Sequence, residues 1–95
     1  MIEKILLEGC EFEGFKIPTE HASVLLIRGA AGFLGCGYFN LAVADKLDDC
    51  VAIVSGVKTF EDMFSAKVVG VSRKASEKGI TIGMTGQDAL LRMVC

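Results

Sequence analysis

The chain has 95 residues, 52% of them apolar, with a formal net charge of −2 and no clustering of Lys and Arg. That length makes a single domain, residues 1–95, near the small end of what folds alone, and the dispersed charge excludes a nucleic-acid surface. The first residues lack a basic stretch leading into an apolar one, and no apolar run approaches the roughly 20 residues that cross a bilayer, so neither a secretory leader nor a membrane span is expected.

The first forty residues read as strands. Ile2 to Leu7 is apolar and ends at Glu8-Gly9-Cys10, a turn in which Gly supplies the unusual backbone angle. A second strand follows over 12–17. Its alternation slips at Gly14, with Phe12 on one phase and Phe15 and Ile17 on the other, which predicts a β-bulge at Gly14. Pro18 ends the strand and Thr19-Glu20-His21 forms a polar loop. Val24, Leu25, Leu26 and Ile27 are apolar at consecutive positions, the pattern of a strand covered on both faces.

That run enters Gly29-Ala30-Ala31-Gly32-Phe33-Leu34-Gly35-Cys36-Gly37, which has two readings. As strand and Gly-x-x-Gly-x-x-Gly turn it is the phosphate-binding finger of a truncated Rossmann-like unit, with nucleotide binding at Gly29 to Gly35. As strand, turn and strand it is a hairpin. A helix starting at Gly32 would carry Gly35 and Gly37 in its opening turns, each costing about 1 kcal/mol relative to Ala. The position where a ribose-binding acid is wanted is Ser55, and too little chain follows for a doubly wound sheet. The hairpin is the better reading, and residues 33–39 decide it: extended supports the hairpin, helical supports the nucleotide finger.

From Asn40 the apolar period changes from two to about 3.6. Asn40 caps a helix over Leu41 to Leu47, Cys50 to Val54 is a short buried strand, and Thr59 to Asp62 has capping-box spacing ahead of an apolar stripe of Phe60, Met63 and Phe64. A third helix is predicted over 67–78, with Val68, Val71 and Ala75 inward, Arg73 and Glu77 paired outward, and Gly79 as its stop. The basic residues Arg73, Lys74 and Lys78 belong to its solvated face. After Ile80-Thr81-Ile82, Thr85 to Asp88 repeats the capping spacing, and a last helix carries Leu90, Met93 and Val94 on one face. The chain therefore reads as an α+β fold, a two-layer sandwich of N-terminal antiparallel strands with helices packed on one face.

Cys10, Cys36, Cys50 and Cys95 form no C-x-x-C pair, so no metal site is expected and the thiols read as reduced ones in a cytoplasmic protein. Asp45, Asp48 and Asp49 form a solvated helix end, since no glycine-punctuated loop surrounds them. No pattern requires a cofactor.

Three segments, Gly35-Cys36-Gly37-Tyr38, 54–63 and 79–93 with its Gly83-Met84-Thr85-Gly86-Gln87-Asp88-Ala89-Leu90 block, resemble the YunC-like family, a small bacterial and archaeal domain of unknown function. One departure is that Tyr38-Phe39-Asn40 stands where a Leu-Asp or similar acidic step is expected. The resemblance implies a two-layer α/β sandwich and a tetramer formed through N-terminal β-structure, and no established activity. The doubly apolar strand independently asks for a homo-oligomer, with a charge at Leu25 or Leu26 expected to dissociate or unfold it.

Two functional classes follow. The first is a homo-oligomeric assembly or small-ligand-binding module without catalysis. The second is a small cysteine-dependent enzyme in which Cys36, exposed to close approach by flanking glycines, is the nucleophile and His21 the base. Gly83, Thr85 and Gly86 are candidates for anion binding, because peptide amides at a helix start favour negative charge, although Thr85 can cap those amides itself.

Overall fold

Leu7 and Cys10 pair across a two-residue turn in which Glu8 and Gly9 both take positive φ, 51° and 81°. This is the backbone of a type I′ hairpin, whose twist matches that of the strands it joins. The computed structural model describes residues 2–93, in which β1 (Ile2–Leu7), β2 (Cys10–Pro18), β3 (Ser23–Arg28) and β4 (Phe33–Gly35) form an antiparallel meander. A helix, α1 (Leu41–Leu47), then carries the chain to β5 (Val51–Ile53), which lies parallel to β4. After α2 (Phe60–Ser65) the short β6 (Gly70–Val71) pairs antiparallel with β5, and α3 (Arg73–Glu77) and α4 (Gly86–Leu91) complete the chain. The α+β class expected from the sequence is what the fold shows.

Residues 33–35 are a strand and 37–38 a turn, so the glycine stretch is a hairpin and no helix begins at Gly32. The nucleotide finger falls with that helix. Gly29 N–H is instead committed to Gly32 C=O at 2.8 Å, closing the hairpin on itself.

Strand alternation sorts the core into two layers. One face of the sheet buries Phe12, Leu25, Ile27, Leu34, Ala52 and Val54 against Met63 of α2, Ala75 of α3, and Ala89 and Leu90 of α4. The opposite face of β4 and β5 packs Phe33, Val51 and Ile53 against Ala44 and Leu41 of α1 and against Phe39. Helices therefore lie on both faces, with α1 alone opposite the other three. Glycines make room for it: a Cβ on Gly35 would meet the Phe39 ring, and one on Gly70 would lie 2.7 Å from Leu41 Cδ1.

Because α1 covers only the β4–β6 half of that face, the β1–β3 half is bare. Ile2, Phe15 and Leu26 form one cross-strand row there. Ile2, Leu6 and Ile17 are 68%, 68% and 59% exposed. Beside them lie an ion pair of Lys4 and Glu11 at 3.9 Å, and Arg28, which pairs with Glu13 and sits 5.5 Å from the Phe15 ring centroid.

Two expectations are corrected. Gly14 is no bulge, since β2 keeps an unbroken register on both sides, opposite Glu3 and Ile27. Phe15 and Ile17 fall off the phase of Phe12 because both faces of β2 carry apolar side chains, and Gly14 serves a close approach by Ile5 and Phe60. The helix predicted over 67–78 is shorter. Lys67 bridges Thr85, Gly70 and Val71 form β6, and only Arg73–Glu77 is helical. Arg73 reaches across to Asp48 and, through its amide, to Asp45 at 2.7 Å, while Glu77 pairs with Lys74 at 3.8 Å. Long-range sheet pairing outcompetes a helix whose first half, Val68-Val69-Gly70-Val71, is rich in β-branched residues. Val94, predicted on the last helix, and Cys95 lie outside the described residues.

Ser72, fully buried, ties α3 to β5. Its hydroxyl donates to Asp49 C=O at 2.8 Å and accepts from Val51 N–H at 2.9 Å and Ala75 N–H at 3.3 Å. Replacing Ser72 with Ala strips a helix cap and strands buried backbone groups, for an expected loss of about 2–3 kcal/mol in urea unfolding. A loss within about 0.5 kcal/mol, the ordinary range of a surface change, would rule out this role.

Candidate functional site

The chain leaves the carboxyl ends of the two parallel strands in opposite directions. From β4 it passes through Cys36, Gly37 and Tyr38 to α1 on one face, and from β5 through Ser55, Gly56 and Val57 to α2 on the other. Such a divergence opens a crevice beyond the strand ends, the place where open α/β sheets bind ligands. A cavity of about 270 Å³ lies there, lined by those six residues with Ala22 and Ser23 from the start of β3.

Local bonding builds its walls. Phe39 N–H donates to Cys36 C=O at 3.3 Å, closing a turn over Gly37 and Tyr38. Thr19 N–H donates to Ala22 C=O at 2.8 Å, and the Thr19 hydroxyl lies 3.4 Å from that of Tyr38, fastening the β2–β3 loop to the rim. On the far wall, Thr59 Oγ1 accepts from Asp62 N–H at 3.0 Å and the Asp62 carboxylate accepts from Lys58 N–H at 3.0 Å. The predicted capping box is thus present, reaching one residue further back than expected.

Cys36 stands at this crevice with its side chain buried. Its amide donates to Leu25 C=O at 3.1 Å, and its sulfur accepts from Leu25 N–H at 3.4 Å. His21 is not its partner. That side chain is 88% exposed, 3.9 Å from Glu20, and borders a neighbouring cavity that shares Ala22, Ser23 and Val57 with the first. The fold brings the two predicted residues to one end of the sheet but not into hydrogen-bond contact.

Gly83, Thr85 and Gly86 lie elsewhere. Gly83 N–H is taken by Val68 C=O at 2.8 Å, Gly86 N–H by Ala66 C=O at 2.9 Å, and Thr85 Oγ1 accepts from Asp88 N–H at 3.2 Å. The Gly83 and Gly86 amides knit the start of α4 to the segment after α2, and the Thr85 hydroxyl caps α4 itself. Ser23, Tyr38, Ser55, Gly56 and Val57 were not singled out as site residues by sequence reasoning. In the sequence Ser55 stands only where a ribose-binding acid is wanted, and nothing local to either segment says that two strand ends lie side by side.

Cys50 behaves differently from Cys36. Packed against Gly32, its thiol is pushed up from the ordinary value of 9.0 by burial, with Lys78 partly opposing. On raising the pH the unfolded chain loses this proton first, so stability falls once the pH passes the ordinary thiol range. Cys50→Ala is expected to flatten that alkaline decline, read as the pH dependence of urea unfolding in the two proteins. Identical slopes would exclude the effect.

The family described as Domain of unknown function (DUF1805) matches residues 35–93, well over half of the chain. The chain belongs to the DUF1805 family. It is similar to the uncharacterized protein YunC of Bacillus subtilis (strain 168), 27% identical over 94 residues that cover 95% of this chain and 93% of that protein. It is also similar to the crystal structure of TA1206, a protein of unknown function from Thermoplasma acidophilum. The TM-score is 0.94 at 35% identity, over 98% of this chain and 91% of that one. The DUF1805 match takes in both turns of the crevice, Cys36 to Tyr38 and Ser55 to Val57, and α4. Among the described residues, no helix is long and apolar enough to cross a membrane.

Proposed function

We propose that this DUF1805 protein is a small-ligand-binding module that works as a homo-oligomer. The observation that carries the reading is the crevice between the ends of β4 and β5, walled by two turns and floored by a buried thiol. Assembly is supported by the bare β1–β3 face, whose exposed Ile2, Leu6 and Ile17 exceed what scattered surface residues need. A second copy of the same chain is the occupant proposed. The mixed signs along the face, Lys4 and Arg28 beside Glu11 and Glu13, suit a self-complementary surface. Four copies joined through the N-terminal strands is the arrangement that the family resemblance suggests. Buried free thiols at Cys36 and Cys50 favour a reducing, cytoplasmic setting.

A catalytic reading rests on Cys36, whose sulfur already receives a peptide N–H that would support a thiolate. Among the described residues no imidazole, carboxylate or amine lines its cavity, which favours binding over catalysis. The reading is tested by alkylating Cys36 with iodoacetamide, in the presence and absence of a chemically diverse small-molecule library. Members that slow Cys36 modification without slowing Cys10 modification support a crevice ligand. A library in which none protects counts against the module, and alkylation accelerated by a bound member would favour catalysis.

A further inference from the structure

The chemistry of the crevice narrows its ligand. No charged side chain lines it. Gly37, Tyr38, Ser55 and Gly56 are all lining residues, and among the described residues no backbone acceptor of this chain is paired with their peptide N–H groups. Ser23, Tyr38 and Ser55 are the hydroxyl-bearing residues of the lining, the Tyr38 hydroxyl lying 3.4 Å from that of Thr19, and Ala22, Val57 and Cys36 supply an apolar remainder. Two turns, one after each parallel strand, thus bring two pairs of uncommitted amides to the cavity lining, the kind of backbone groups from which anion-binding concavities are made. Such a set stabilises one negative charge without a cationic side chain, as peptide amides do for oxyanions. A phosphate dianion would leave its second charge uncompensated. The cavity's 270 Å³ also lies at the small end of ligand pockets, below what a nucleotide asks.

We propose that the crevice takes a compact monocarboxylate, its oxygens accepting from the amides of Gly37, Tyr38, Ser55 and Gly56 and its short aliphatic part lying against Val57 and Cys36. This rests on the ligand-binding reading above and adds the chemical class. A carboxylate accepts through two oxygens, which matches donors arriving from two separate turns. Its amide isostere presents one acceptor and turns an NH₂ toward donors, leaving them unpaired.

The test is titration of the uniformly ¹⁵N-labelled chain with propanoate, propanamide and inorganic phosphate at fixed ionic strength. Propanoate is expected to shift the Gly37, Tyr38, Ser55 and Gly56 amide resonances saturably, with propanamide at least about tenfold weaker. Ala22→Phe, which adds a ring at an exposed rim position, is expected to abolish those shifts while leaving the rest of the spectrum in place. Ser55→Phe repeats the block from the opposite turn should the first variant fail to fold. Propanamide or phosphate binding at these amides as well as propanoate would overturn the monocarboxylate while leaving a ligand crevice standing. Shifts that persist in a folded blocking variant would also overturn it. Silence of the crevice resonances to all three probes overturns the proposal, and the iodoacetamide screen then decides separately whether the crevice binds anything.

Discussion

Gly86→Ala is expected to cost about 3 kcal/mol or more, a large share of the stability of a chain this size. The cause is local and steric. A Cβ at this position would run into the Met63 carbonyl oxygen, with Leu34 Cδ2 only 2.9 Å away. A flexible side chain could move aside, but the Met63 carbonyl belongs to the backbone of α2. The same glycine donates its N–H to Ala66 C=O at 2.9 Å, so α4 starts against the end of α2 with no space between them. Relief would have to separate α2 and α4, which with α3 cover the inner face of the sheet. Urea unfolding monitored by circular dichroism measures the loss. A cooperative transition within about 1 kcal/mol of the parent would show that the two helices tolerate separation. The Gly83-to-Leu90 block, the part of the sequence most specific to the family resemblance, is on this account a packing element.

Leu25→Glu and Leu26→Glu are expected to fail in opposite ways, although the residues are neighbours on one strand. Leu25 is 0% exposed and packs in the main core, so a carboxylate there is an unpaired buried charge, costing several kcal/mol and unfolding the chain. Leu26 stands on the bare β1–β3 face between Phe15 and Gly35. A carboxylate there costs the monomer little, yet in an assembly that covers this face it is buried against apolar side chains of a second copy. Sedimentation of the parent at micromolar concentration is expected to give an oligomer, and Leu26→Glu a folded monomer with an unchanged circular dichroism spectrum. A parent that sediments as a monomer, or a Leu26→Glu protein that keeps the parent's oligomeric state, would remove this face from the assembly.

The sequence made the local elements legible where one physical signal dominated. Asn40 caps α1 as expected, its side chain accepting from Ala42 N–H at 2.8 Å, and α1 spans Leu41–Leu47 as its periodicity says. Thr59 and Thr85 cap α2 and α4, and the glycine stretch is a hairpin because Gly35 and Gly37 disfavour a helix. Illegible were the features set by partners distant in the chain. Val68 and Val71 carry helical spacing, but Val69 N–H donates to Ile53 C=O and Ser72 N–H to Val51 C=O, so β5 recruits the segment as strand. The position of α1 on the opposite face depends on Gly35 and Gly70, one on each side of β5, and no sequence window contains both. Of the candidate site, Cys36 was legible from its flanking glycines. The second wall, Ser55 to Val57, was not, because its role comes from the parallel pairing of β4 with β5.

The spatial order of the strands, which is also their order along the chain, bears on how the protein is made. Each later strand of the β1–β4 meander has as its neighbour the strand synthesised just before it. Loop-closure entropy is small for each of these pairings, and no early strand waits with an open edge for a late one to arrive. The exceptions are the β4–β5 and β5–β6 pairs, each with a helix between its members in the chain, and of these only β4–β5 is parallel, so that α1 must cross over one face of the sheet before the ladder can close. Closure of the parallel ladder brings the two walls of the candidate crevice side by side. The β1–β3 face is therefore complete within the first 28 residues, while the candidate crevice needs chain as far as Val57.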